Sequence, residues 1–190
     1  MKIAFLNIYG GRVSRGAEVA VDEIGKRLSK NHEVTIFQSG IIHNSSYLIY
    51  PIRAIPFISP DISHSIILRI LKKIYLDPYS LLVLLFSLKC VPKLLRNRYD
   101  VLIPINGFWQ IVICKLIRTI FKNKVILFGY AGIGSDDYIN LKLNPDAFFT
   151  MSHVAKSWAK KINPNIPIKV LPGGVDIQRF NPKVMPVKLP

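Results

Sequence analysis

Acid is what this sequence has least of: 11 Asp and Glu stand against 26 Lys and Arg, a formal net charge of +15 over 190 residues. Such a field repels acidic partners and attracts phosphates, whether of nucleic acid, lipid head groups or small molecules. Cysteine is nearly absent. Cys90 and Cys114 each sit inside an apolar helical pattern, which excludes a disulfide framework and a thiolate metal site and fits a reducing cytoplasm. The four histidines, His32, His43, His64 and His153, are scattered without ligand spacing, so no metal is expected. There is no G-x-S-x-G elbow for a hydrolase. There is also no helix-turn-helix, RNA-binding aromatic motif or zinc finger, and the charge alone does not make nucleic acid an expected partner. The longest apolar run, Leu81 to Leu88, falls well short of the roughly 18 residues that a bilayer span needs. The opening MKIAFLNIYGG meets glycine too early for a secretory signal. No part of the chain is expected to cross a membrane.

What is present is apolar content, at 50% of the residues, enough for one sizeable α/β core. Residues 3–8 (IAFLNI) form an unbroken apolar run, as a parallel strand covered on both faces requires. A helix follows from Ser14 or Arg15, with Ser14 as its expected N-cap. Its Ala17, Ala20, Val21, Ile24 and Leu28 keep the spacing of one buried stripe. Strands are expected at 33–38, 101–105, 125–128, 147–150 and 168–171, with a proline-broken edge segment at 47–57. Helices are expected at about 62–76, 79–98, 108–122 and 152–161. The alternation predicts a doubly wound, mostly parallel sheet. Residues 172–190 carry four prolines and two glycines without periodicity and read as a linker, leaving 1–171 as the domain.

Two loops carry the chemistry. The first, YGGRVSRGAE at 9–18, joins a buried strand to a helix N-terminus, where unpaired N–H groups and the helix dipole favour an anion. Gly10 and Gly11 allow a tight turn, and Gly16 a close approach to ligand or sheet; the same loop also reads as a bare βα turn. Its spacing is neither G-x-G-x-x-G nor a P-loop, and the second strand ends in Gln38 where a dinucleotide site has an acid. The second loop, GYAGIGSDD at 129–137, offers Tyr130, Gly132, Asp136 and Asp137. A capped turn with solvated carboxylates is its plain reading.

At 16–18 (GAE) and 32–36 (HEVTI) the chain resembles the start of the retaining glycosyltransferases of family 4. Residues 99–107 (YDVLIPING) and 145–152 (PDAFFTMS) are similar to later strands of that family. VLPGGVDIQRFNP at 170–182 is similar to its interdomain signature, with Gly173 in place of the usual asparagine. The resemblance implies the N-terminal, acceptor-side half of a GT-B fold that moves a sugar from a nucleotide-sugar donor to an acceptor. It adds Asn106 to the expected substrate-binding set of Gly10, Gly11, Gly16, Tyr130, Gly132 and Asp136. It implies no metal or other cofactor. The glutamates that would hold the donor belong to a C-terminal half these residues do not contain, and the family's His-Gly is missing near Gly129, so no catalytic residue is assigned. The fragment alone is expected to be inactive; the alternative is a non-catalytic acceptor- or membrane-binding module of a split transferase.

Residues 62–98 mix Leu and Ile stripes with Arg69, Lys72, Lys73, Lys89, Lys93, Arg96 and Arg98. That is the pattern of helices lying on an anionic membrane, and equally of two ordinary helices covering a sheet. Peripheral contact with the inner face of the membrane is expected here.

Overall fold

The computed structural model describes residues 1–41, 46–53, 55–58, 66–129 and 133–174. Seven strands form one sheet: β1 (Lys2–Asn7), β2 (Glu33–Gln38), β3 (Leu48–Pro51), β4 (Val101–Pro104), β5 (Lys124–Gly129), β6 (Ala147–Thr150) and β7 (Ile168–Val170). Their order is β3-β2-β1-β4-β5-β6-β7, and every neighbouring pair is parallel. β1 and β4 lie at the centre and are buried almost along their whole length, which explains their unbroken apolar runs. β3 lies at the edge and ends in Pro51, which has no N–H to donate to a further strand.

Among the described residues six helices connect the strands: α1 (Gly16–Leu28), α2 (Ile66–Lys73), α3 (Pro78–Asn97), α4 (Phe108–Phe121), α5 (Ser135–Lys142) and α6 (His153–Ile162). The β1-to-β2 and β2-to-β3 connections run one way along the sheet, and every crossover after β3 runs the other way. Right-handed connections therefore place α1 on one face and α3 to α6 on the opposite one. The cores agree. Val21 of α1 packs with Ile3, Phe5, Val34, Ile36 and Ile103. Phe86, Cys90 and Leu94 of α3 and Cys114 of α4 pack on the opposite-facing Ala4, Leu6, Phe37, Leu102 and Val125. Burial holds both thiols in the protonated form, pushing their pKa upward.

Three expectations need correction. Arg15, not Ser14, occupies the N-cap of α1, and no side-chain hydrogen bond caps that first turn. Arg15 is extended (φ −88°) and its guanidinium pairs with Glu18 one turn on, at 2.7 Å, while the first-turn N–H groups receive no side-chain cap. The segment 135–142, whose first three residues fall in the expected second loop, is helix α5; its sequence SDDYINLK lacks an apolar stripe, so periodicity could not reveal it. The helix expected to 76 ends at Lys73, because Tyr75 adopts a left-handed φ of 56°.

By length and composition, the stretch Ile66–Asn97 holds a window with the mean hydropathy (1.5) of a membrane span. Counting only unbroken apolar residues misses this. One third of that window (33%) is buried inside the protein, where Leu82, Val83, Phe86, Cys90 and Leu94 contribute to the sheet's core. Asp77 starts α3, its carboxylate accepting the N–H groups of Tyr79 and Ser80 at 3.1 and 3.2 Å. Ser152 caps α6, accepting the N–H of Ala155 at 3.1 Å. The linker reading falls mostly on 175–190, outside the described residues.

Candidate functional site

Strand order reverses between β1 and β4, and in such sheets the loops leaving the carboxyl ends of these two strands splay apart to form a crevice. Here side-chain amides span that seam. The Ile8 N–H just past β1 donates to Asn106 Oδ1 just past β4, at 2.8 Å. Gln110, wholly buried in the first turn of α4, accepts the N–H groups of Ile105 and Asn106, both at 2.9 Å. Its own Nε2 donates to Asn106 Oδ1 at 3.4 Å. Gln110 thereby ties the first turn of α4, whose N-cap Gly107 (φ 103°) has no side chain, back onto the chain that leaves β4. The Tyr79 hydroxyl also meets the Asn106 side chain, and burial pushes its pKa up to about 12, keeping it neutral.

The first glycine loop packs against the loop after β2. Gly40 N–H donates to the Gly10 carbonyl at 3.0 Å, and Ser39 N–H to that of Ile8 at 3.2 Å. Gly10 is short of room. A Cβ there would stand 2.6 Å from Gln38 Oε1 and 2.9 Å from Asn7 Nδ2. Gly11 is required for conformation, at φ +72°. Gly16 is neither: a Cβ there meets nothing within 4 Å. Close packing of Gly16 on the sheet is therefore ruled out, and its position at the head of α1 stands open.

Beside it lies a feature the motif reading passed over. Glu18 is 5% exposed and held by Arg15, whose guanidinium also sits over the Tyr9 ring at 5.4 Å. Tyr9 is fully buried, and its hydroxyl both donates to the Ile58 carbonyl (2.7 Å) and accepts the Ile58 N–H (2.8 Å). The loop is thus braced on three sides. Asn7 Oδ1 is buried at the end of β1 with no partner among the described residues.

Of the expected substrate-binding set, Gly10, Gly11 and Gly16 lie on the β1 side of the crevice. Asn106 and Asp136 line a single cleft on the β4 side, and the Ile8–Asn106 bond joins the two sides. Tyr130 and Gly132 lie outside the described residues. Asp137 follows Asp136 in the first turn of α5. Burial first, and the Asp136 charge second, raise its pKa to about 6. Among the described residues no group of three His, Cys, Asp or Glu could hold a metal ion.

No protein-family model matches the chain, and no curated protein matches it in sequence. Its likeness to solved structures is clear. A sucrose-phosphate synthase structure from Thermosynechococcus elongatus superposes with a TM-score of 0.56 at 13% identity, covering 95% of this chain and 93% of that one. A glycosyltransferase from Rickettsia africae ESF-5 also superposes at 0.56, with 16% identity over 97% of this chain and 46% of that one. The chain thus spans about half the length of the Rickettsia protein.

The glycines separate packing from function. Gly10→Ala should destabilise the fold by about 1–3 kcal/mol through overpacking, while Gly16→Val leaves the urea midpoint close to wild type. Equal losses in both variants would refute this division. What sequence, topology and superposition establish together is a Rossmann-like α/β unit matching the fold of GT-B glycosyltransferases.

Proposed function

We propose that this chain is the acceptor-side half of a retaining, family-4-type glycosyltransferase, whose second Rossmann-like domain holds the nucleotide-sugar. The observation that carries the reading is the convergence of a glycine-braced loop and the Asn106 side chain at the switch point of a fold shared with glycosyltransferases. In this reading the open first turn of α1, with Gly10, Gly11 and Gly16, faces the donor's phosphates. Asn106 and Asp136, with Tyr130 and Gly132, bind the acceptor. Transfer to the acceptor depends on groups from the other domain, and no metal is used.

The proposed setting is cytoplasmic, with peripheral contact through α2 and α3 to an anionic membrane that carries a lipid-linked acceptor. The support is local. α2 buries none of its residues, and Ile66, Ile67 and Ile70 are 72%, 69% and 56% exposed beside Arg69, Lys72 and Lys73. On α3 the exposed Leu81, Leu85 and Leu88 form a stripe opposite the core, flanked by Lys89, Lys93 and Arg96. Two of these lysines also turn inward: Lys89 Nζ donates to the Arg53 carbonyl at 3.1 Å, and Lys93 sits over the Tyr50 ring at 5.4 Å. The surface charge of α2 is the freer part.

The transferase reading is tested by nucleoside diphosphate release from a panel of nucleotide-sugars and acceptors. The 190 residues alone should give none, and fusion to a nucleotide-sugar-binding domain of a related transferase should restore turnover. Turnover by the chain alone would contradict the division of labour; silence from every fusion would contradict the transferase itself.

Membrane contact is tested by sedimentation with neutral and anionic vesicles. Each basic residue near an anionic surface contributes on the order of 1 kcal/mol, so Lys72→Glu with Lys73→Glu should remove most binding. Ile67→Ser with Ile70→Ser should remove the part that high salt leaves. Failure of the unaltered chain to pellet with anionic vesicles would rule the contact out.

A further inference from the structure

The two faces of the sheet are clothed differently. α1 carries Glu18, Asp22 and Glu23, each ion-paired with a basic residue about one turn away, and its outward aliphatic side chain is Val19. That is the surface of a helix in water. On the opposite face α3 and α4, with α2 leading into them, contain no Asp or Glu. Their outward positions are aliphatic, rimmed by bases such as Lys72, Lys73 and Arg96.

α4 is part of this surface. It packs beside α3, burying Cys114 and Ile117 in the shared core. Leu116 and Ile120, one turn apart, stand clear of that core at 57% and 64% exposed. They are more open than Leu81, Leu85 and Leu88 of α3. The apolar residues also run the full depth of the sheet. α3 starts beside the crevice, where Tyr79 meets Asn106, and its 20 residues descend about 30 Å to the amino end of β4. Leu81 therefore lies near the crevice, and Ile120, in the last turn of α4 ahead of β5, lies at the far end. A domain hanging from α2 alone would leave Ile120 in water.

We infer that the surface formed by α2, α3 and α4 lies flat on an anionic bilayer, so that the strands run parallel to the membrane plane and the crevice opens along it. The inference rests on the membrane contact proposed above and adds α4 and the orientation. Charge selects the occupant. Phosphate head groups neutralise a surface that has bases and no acids, whereas a second copy would bring it charge of the same sign. The aliphatic side chains then sit at the boundary of head groups and acyl chains. In this orientation a lipid-linked acceptor reaches the crevice sideways, at head-group level, without leaving the bilayer.

Site-specific fluorescence with vesicles tests this. Cys90 and Cys114 are wholly buried, so a maleimide-linked, polarity-sensitive dye reaches only an introduced thiol. Ile67→Cys, Leu88→Cys and Ile120→Cys place it on α2, α3 and α4, and Val19→Cys on α1. With phosphatidylglycerol vesicles the first three should brighten and lose that emission to doxyl-labelled lipid, while Val19→Cys stays unchanged. Leu116→Ser with Ile120→Ser should weaken binding at high salt about tenfold, the loss of two partly inserted side chains. Its circular-dichroism spectrum should stay that of the unaltered chain. Quenching at Ile67→Cys without quenching at Ile120→Cys would overturn the flat orientation and leave the α2 contact standing. No response from any label would overturn both. Equal quenching at Val19→Cys and Ile120→Cys would show insertion without a preferred face and sink the inference. Brightening of Ile120→Cys with protein concentration alone would assign the face to a second copy, with the same result.

Discussion

The structure turns on one side-chain amide. Asn106 holds the carboxyl end of β1 against that of β4 at the seam where the strand order reverses, because its Oδ1 accepts the Ile8 N–H. A doubly wound sheet tends to part at that seam, since the helices leaving its two central strands go to opposite faces. The gap leaves backbone N–H groups without strand partners, and a buried donor left unpaired costs about 1–3 kcal/mol. Asn106 satisfies one of them, and Gln110 holds Asn106 by accepting the N–H groups of Ile105 and Asn106 itself. Past the Ile105 N–H to Leu6 carbonyl bond, side chains rather than strands close the hydrogen bonds of the crevice.

Around that seam the two sides are built differently. The β1 side is rigid backbone: Gly10, Gly11 and Gly40 bring two loops into contact that side chains would prevent, and Tyr9 ties the loop to Ile58. The β4 side is aromatic and polar side chain, with Tyr75, Phe108 and Trp109 forming a wall beside Asp136. In the proposed function the close-packed backbone faces the donor's phosphates, and Asn106 and Asp136 face the acceptor. The proposed division between donor and acceptor follows from this difference in construction.

Much of the fold was legible in the sequence because parallel strands covered on both faces leave unbroken apolar runs, as at 3–8 and 101–105. Right-handed crossover then settled which helices share a face. α5 was not legible, since SDDYINLK has no stripe and its helix is held by its neighbours α4 and α6. The Ser14 cap failed because α1 begins one residue later, with Arg15 at the N-cap and no side chain accepting from its first turn. The site was less visible. Asn106 was reached through the resemblance, and nothing in the sequence marks Gln110, which reads as an ordinary polar helix residue. The turn at Tyr75 is local, its N–H bonded to the Lys72 carbonyl and that of Leu76 to Leu71, but its contacts with Phe108 and Trp109, more than thirty positions away, are not legible in sequence. Glycine loops announce themselves, whereas polar clamps assembled by tertiary contacts do not.

Amide hydrogen exchange at Ile8 tests the clamp most directly. In the native chain this amide should be protected to nearly the level of the β1 core amides. Asn106→Ala should speed its exchange about tenfold, the equivalent of one hydrogen bond of roughly 1–1.5 kcal/mol, while Phe5 in the same strand keeps its protection. Unchanged exchange at Ile8 in that variant would show that the seam holds without Asn106, and the account of the site built on it would be wrong.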